Sequence, residues 1–394
     1  MKLVGIGLAI LVVTSIGSGV AFVVSTRLGD DEQVSQPQWT TPERIYFKRG
    51  TDLWSITPDG AETDLVASGL RQGYCGTIGQ GNTAPLPSPR GDLVAFISFD
   101  GSVRIADATG GNAWTVSDTP RPDDDIYYGT QNSISGWSPD GARLIYHVSM
   151  TYDPHQKKEP SGIGFYLVDV PSREKRPLRT LPNFVAWSSD PERVIFQQQS
   201  TDYEAPCAPT PCPEIDWYSL DLTSGAATRM TKEPFPCTSM QPAKYAANNR
   251  LFYGCANTST QESTIVVARG DNTERIVLAR GGYAEFQSPA PAPSGEQFMY
   301  RHQSEPYISG SVNVELRLFD LASDVERVLL TGCPIDESWL SATVLLFAEQ
   351  PACEAALNLY RLDIETGIKT ILADNIGRQS GVGFGSSRLS RDAS

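Results

Sequence analysis

Residues 136–146 read GWSPDGARLIY, and the two ends of that stretch have opposite tendencies. Pro139 and Gly141 interrupt regular structure, whereas Leu144, Ile145 and Tyr146 favour an extended strand, so the stretch reads as a tight turn feeding a strand. Copies recur along the chain: QWTTPERIYF around Trp39, PSPRGDLVAF from Pro87, AWSSDPERVIF around Trp187 and APSGEQFMY from Ala292. KYAANNRLFY from Lys244 and SWLSATVLLF around Trp339 are weaker copies, making seven in all. The tryptophans Trp39, Trp137, Trp187 and Trp339 are separated by 98, 50 and 152 residues, which fit two, one and three steps of about 50. Because they recur with the repeat, they are expected to pack between units and not to form a stacking platform.

Each turn and strand is followed by a second signature, as in TDLWSITPDGAETDLV (51–66), DWYSLDLTSGAATRM (216–230) and LNLYRLDIETGIKTIL (357–372). These alternating runs around a Gly, Asp or Ser turn are hairpins. With an inner strand ahead of each turn, a unit has four antiparallel strands, too few to bury both faces alone. Seven such sheets set radially cover one another and leave short edges. The expected fold is therefore all-β, a seven-bladed β-propeller over 39–375, with six or eight blades as the counting error.

The 394 residues include 32 Lys or Arg against 46 Asp or Glu, a formal net charge of −14. That balance lacks the basic footprint of a nucleic-acid binder, so no nucleic-acid partner is expected. Residues 1–24 form a separate element: Leu3 to Val24 carry no charge and as a helix would be long enough to cross a bilayer. Lys2 precedes this run and Arg27, Asp30, Asp31 and Glu32 follow it, which puts the N-terminus inside and the propeller outside. The segment is expected to be a transmembrane signal anchor, the alternative being a cleaved signal peptide with Gly19 and Ala21 before the cut. Either way the propeller is exported, to the periplasm or the cell exterior, or secreted if cleavage occurs. Residues 25–38 have linker composition, and 376–394 are a tail or a strand that closes the ring.

Export permits disulfides, and the chain has seven cysteines. Cys237 and Cys333 precede inner strands while Cys255 and Cys353 follow the next strands, so Cys237–Cys255 and Cys333–Cys353 are reasonable bridges. Cys207 and Cys212 would close a small proline-stiffened loop, which leaves Cys75 over. No Cys-x-x-Cys spacing occurs and only His147, His155 and His302 are present, so no metal is expected.

In a propeller, the loops joining blades and those between second and third strands emerge on one face. All seven cysteines fall in or beside those loops, as do the longest insertions, 149–162, 198–214 and 302–313. Binding residues concentrate on loops held by a rigid scaffold. Candidate binding residues on this face are Tyr127, Tyr128, Tyr152, His155, Tyr203 and Tyr307. The acidic run Asp123–Asp125 beside Tyr127 lacks the alternating oxygen ligands of a calcium loop and reads as a solvated loop.

WSPDGARLIY, PSPRGDLVAF and hairpins of the type LYRLDIETG resemble the repeats of TolB-like propellers, WD40-like units in which WSPDG recurs blade after blade. The resemblance covers about 39–375 and weakens at Lys244 and Trp339, where the Pro-Asp-Gly turn is absent. It implies an exported propeller used for protein contacts in the cell envelope. The α/β domain that precedes the TolB propeller has no room before Trp39, so the TolB partnership is not carried over.

No Gly-x-Ser-x-Gly elbow occurs in the propeller. Ordinary surface or satisfied roles are expected for the histidines, with His147 and His302 ending strands. The function expected is a non-catalytic scaffold, without cofactor, that recruits a protein or peptide through the cysteine-rich face. The alternative is an enzyme or carbohydrate-binding propeller using the central channel on that side.

Overall fold

A computed structural model of the protein describes residues 44–70, 85–117, 129–151, 164–178, Leu181, 184–199, 215–230, 239–240, 243–257 without 247, 262–282 without 271, 272 and 274, 286–303, 314–332, 334–349 and 357–376. These residues are all β and turn, and form seven antiparallel sheets in chain order.

The first blade contains β1 (Ile45–Arg49), β2 (Asp52–Ile56) and β3 (Thr63–Ala67). The second contains β4 (Leu86–Pro87), β5 (Leu93–Ile97), β6 (Val103–Asp107) and β7 (Trp114–Thr115). In the third are β8 (Gly129–Trp137), β9 (Arg143–Thr151), β10 (Gly164–Asp169) and β11 (Glu174–Leu178). The fourth holds β12 (Phe184–Trp187), β13 (Arg193–Gln199), β14 (Ile215–Asp221) and β15 (Ala227–Arg229). Blade five splits its inner strand into β16 (Ser239–Met240) and β17 (Lys244–Tyr245), both paired with β18 (Arg250–Asn257), and continues with β19 (Glu262–Arg269) and β20 (Ile276–Gly282). Blade six has β21 (Phe286–Pro291), β22 (Gln297–Gln303), β23 (Val314–Asp320) and β24 (Val325–Gly332), and blade seven has β25 (Pro334–Trp339), β26 (Val344–Glu349), β27 (Leu357–Asp363) and β28 (Lys369–Ile376). The seven-bladed expectation holds.

The opening turn owes its shape to three groups. The Ser138 N–H donates to Arg143 O at 2.8 Å, the Gly141 N–H donates to Ser138 O at 2.9 Å, and Asp140 accepts from the Ala142 N–H. Gly141 has φ +72°, a conformation in which a side chain is strained. Ala246 and Arg250 repeat the first of these bonds where the Pro-Asp-Gly sequence is missing, and Asn249 takes the left-handed position with φ +56°. Asparagine tolerates that region, which is why the weakest sequence copy still makes the turn.

The core lies between blades. Along β5, Val94 and Phe96 pack toward the first blade while Ala95 and Ile97 pack toward the third, so the two-residue period of one strand feeds two interfaces. Seven buried clusters result, one at each junction. The last joins Ile45, Phe47 and Ile56 of blade one to Leu346, Leu359 and Ile376 of blade seven, so the ring closes through side chains. The Arg49 guanidinium adds a bond to the Asp374 carbonyl at 3.0 Å across the same junction. β28 ends at the fully buried Ile376, and the residues after it lie outside the described ones.

Trp137, Trp187 and Trp339 end inner strands and are buried against the preceding blade. Their indole N–H groups donate to Leu86 O, Gly136 O and Ala290 O at 2.8, 3.1 and 3.0 Å, each in the inner strand of the blade before. Gly136 and Ala290 border register shifts in β8 and β21. Trp39, the inner strand expected for the first blade and residues 377–394 lie outside the described residues.

Candidate functional site

Strand ends divide the connections into two sets. First-to-second and third-to-fourth strand turns are tight throughout, as at 138–142, 170–173, 188–192 and 292–296. At the opposite ends of the strands lie the long connections 68–85, 116–128, 152–163, 200–214 and 304–313. β9, β13 and β22 run two or three residues into the expected insertions, which therefore begin at 152, 200 and 304. Tyr127, Tyr128, Tyr152, His155, Tyr203 and Tyr307 lie outside the described residues, as do Asp123–Asp125 and the cysteines Cys75, Cys207, Cys212, Cys237, Cys333 and Cys353.

Cys255 is described. It sits on β18, buried and disulfide-bonded, opposite Met240 of β16. Its bonding partner lies outside the described residues.

His147 does not end its strand: β9 continues four residues to Thr151, because β8 pairs with it as far as Gly129. Its ring stacks on Phe165 at 4.3 Å, and burial holds its pKa below the usual imidazole value. His302 lies next to last in β22, with Nδ1 3.4 Å from Glu315 Oε2. Glu315 in turn accepts from Arg317 Nε at 2.8 Å, and Arg317 also pairs with Glu326. The Arg317 contact holds the Glu315 carboxyl below its ordinary range, and burial pushes the Tyr300 hydroxyl up. These groups form a line across blade six in which Arg317 bridges Glu315 and Glu326. Among the described residues no cluster of three His, Cys, Asp or Glu side chains could hold a metal ion.

A second charged group stands at and beside the inner strands, and sequence reading passed over it because its members are spread over residues 244–337. Glu337 on β25 is 4% exposed at its side chain and accepts from Arg301 Nε at 2.8 and 2.9 Å and from Arg301 Nη2 at 2.5 Å. Lys244 on β17 interacts electrostatically with both; burial lowers its ammonium pKa, Glu337 raises it and Arg301 lowers it further. No motif spacing signals the group, since it draws on blades five, six and seven.

No family model matches the chain. The uncharacterized protein Atu1656 of Agrobacterium fabrum is 29% identical over 142 residues, a match that takes in 31% of this chain and 43% of that protein. The chain thus spans less than half of that relative. Among solved structures, a puromycin-hydrolyzing peptidase of Mycobacterium tuberculosis superposes with TM-score 0.54 at 14% identity, covering 87% of this chain and 57% of the peptidase. An oligogalacturonate lyase in complex with manganese gives 0.51 at 15% identity, with 86% of each chain covered. A putative TolB from Agrobacterium tumefaciens gives 0.42 at 17% identity, with 74% and 90% covered. Identities this low speak to the fold alone, and one fold hosts many chemistries. The class that the fold defines is a seven-bladed β-propeller. Among the described residues no helix is long and apolar enough to cross a membrane; residues 1–24 lie outside them.

Proposed function

We propose that this protein is an exported, non-catalytic scaffold of the cell envelope, held at the membrane by residues 1–24, that captures a protein or peptide on its long-loop face. The carrying observation is the asymmetry of the connections: one end of the blades has only tight turns, and the long segments 68–85, 116–128, 152–163, 200–214 and 304–313 all lie at the other. A rigid ring bearing loops on one side is a common binding design. The disulfide at Cys255 stands beside the connection at 258–261 and accords with an oxidising compartment. Cys237–Cys255, Cys333–Cys353 and Cys207–Cys212 are the bridges assigned, and their stapling would pre-organise the loops for binding. Tyr127, Tyr128, Tyr152, His155, Tyr203 and Tyr307 are the contact residues assigned.

The test is crosslinking of the full chain in its native membranes, with Tyr152, Tyr203 and Tyr307 changed together to Ala in a parallel sample. A crosslinked protein lost from the triple variant supports the reading. A product profile identical in both samples, or turnover of an ester or glycan by the purified protein, overturns it.

A second reading, an enzyme or carbohydrate-binding propeller working at the channel, is favoured by the charged group of Lys244, Arg301 and Glu337 at the inner strands. Loss of glycan binding in the Lys244→Met variant would support it.

A further inference from the structure

The inter-blade tryptophan bonds follow one register rule. In blades two, three, four, six and seven a residue opens the first turn by donating its N–H across it: Ser88, Ser138, Ser188, Ala292 and Leu340. The tryptophan stands just before that residue, and its indole reaches the carbonyl two places before the corresponding residue of the preceding blade. Trp137 reaches Leu86 O, Trp187 reaches Gly136 O and Trp339 reaches Ala290 O. A ladder carbonyl has a second lone pair to offer, so the bond adds to the sheet without breaking it.

Blade seven presents the same seat to blade one. The corresponding carbonyl is Ser338 O, beside a register shift, as Gly136 and Ala290 are. Leu340 and Leu346 hold the places that Ala292 and Met299 hold around Trp339, and both are buried in the cluster shared with Ile45 and Phe47. Trp39 matches the seat in spacing: Trp39, Ile45 and Phe47 repeat the intervals of Trp339, Leu345 and Phe347. β1 is the second strand of its blade. Among the described residues it pairs with β2 alone, whereas the second strands of the other six blades pair on both edges.

We propose that residues 35–39 are the inner strand of blade one and that Trp39 seats on blade seven, its indole N–H donating to Ser338 O. The chain just ahead of β1 is the natural occupant, because every other inner strand directly precedes its second strand. Residues 377–394 are the poorer fit: they leave β28 on the outer rim and contain no tryptophan. Pro37 suits an inner strand whose free edge needs no N–H, and Pro87 and Pro291 already occupy such strands. Inner strands feed the first turn, so they run from the long-loop end to the tight-turn end. The chain therefore enters the ring at its long-loop end; without this strand it would enter at the tight-turn end, where β1 begins. The segment that leads into the propeller thus locks the ring, whether or not the long-loop face binds a partner.

Hydrogen exchange of the full-length purified protein, read by mass spectrometry of its peptides, tests the strand. A peptide covering 35–40 is expected to hold amides that exchange at least about a hundredfold more slowly than in an unstructured chain. Photo-crosslinking tests the seat: Trp39→p-benzoylphenylalanine is expected to couple to the blade-seven peptide spanning 338–348. Trp39→Phe is expected to lower the urea midpoint about as far as Trp339→Phe does. Free exchange over 35–40, protection of 378–388 in its stead, crosslinks confined to another blade, or an unmoved midpoint in Trp39→Phe overturns the proposal. The exchange measurement uses the wild type, so it decides the matter even where a variant fails to fold. Loss of partner crosslinking with protection over 35–40 intact would fault the scaffold reading and leave this one standing.

Discussion

Trp187 donates its indole N–H to the backbone carbonyl of Gly136, 3.1 Å away and one blade back. Gly136 also makes room for that ring: a Cβ there would lie 3.3 Å from Trp187 Cδ1 and 3.3 Å from Phe184 Cζ. The repeated tryptophan is thus a clamp between blades, with one polar bond inside an apolar contact. Trp187→Phe removes the donor and leaves a half-buried carbonyl without it, at an expected loss of about 1–2 kcal/mol. Trp339→Phe should lose a similar amount. Urea unfolding checks both: lower midpoints with an unchanged slope are the expected result.

Hairpin tips at the third-to-fourth strand turns need glycine for two different reasons. Gly225 has φ +73° and open space around it, whereas Gly110 has φ +81° and a Cβ there would meet Val66 O at 2.2 Å, in the neighbouring blade. Gly225→Ala should cost about 1 kcal/mol, the conformational term alone. Gly110→Ala must also displace backbone, so it should lose at least about 1 kcal/mol more. Equal midpoints for the two variants would refute the close approach.

An aspartate closes most of these tips. Asp169, Asp221, Asp320 and Asp363 accept backbone N–H bonds from residues two or three further on, and all four have pKa values below the ordinary carboxyl. For Asp320 the Gln297 amide and Ser323 bring the value down to about 2 from 3.8. A depressed folded value means that the stabilisation is complete above the unfolded pKa and is lost as pH falls through the folded one. Thermal midpoints should therefore be flat above about pH 5 and drop between about pH 4 and 2. Asp320→Asn should show a smaller drop over that window, and an equal drop would remove Asp320 from the account.

Cys255 should appear in non-reducing peptide maps linked to the peptide carrying Cys237. Replacing Cys255 with Ser is expected to cost about 2–4 kcal/mol, read as a lower unfolding midpoint under oxidising conditions and no difference from the wild type under reductant. A link from Cys255 to Cys75 or to any other cysteine would correct the assigned pairing.

The turn, the strand and the hairpin were legible in residues 136–146 and their copies because they rest on local chemistry: a proline, an acceptor and a left-handed glycine within five residues. Where the local signal faded the blades still formed: in the Lys244 copy Asn249 supplies the left-handed position, and in the Trp339 copy the Leu340 N–H donates to Val344 O at 2.8 Å and closes the turn. The length of β9 was misread at His147 because polar residues there continue a strand whose pairing comes from β8. A partner strand can override a weak local preference.

Sequence by itself determined the repeat, its period and the alternation that sends neighbouring side chains to opposite blades, since each follows from contacts between residues close along the chain. Only tertiary structure decided that Ile45 and Leu346 join one buried cluster that closes the ring, or that Arg301 of blade six pairs with Glu337 of blade seven. Closing a ring sets the distant blades side by side, and no pattern within a fifty-residue unit encodes which charges then meet.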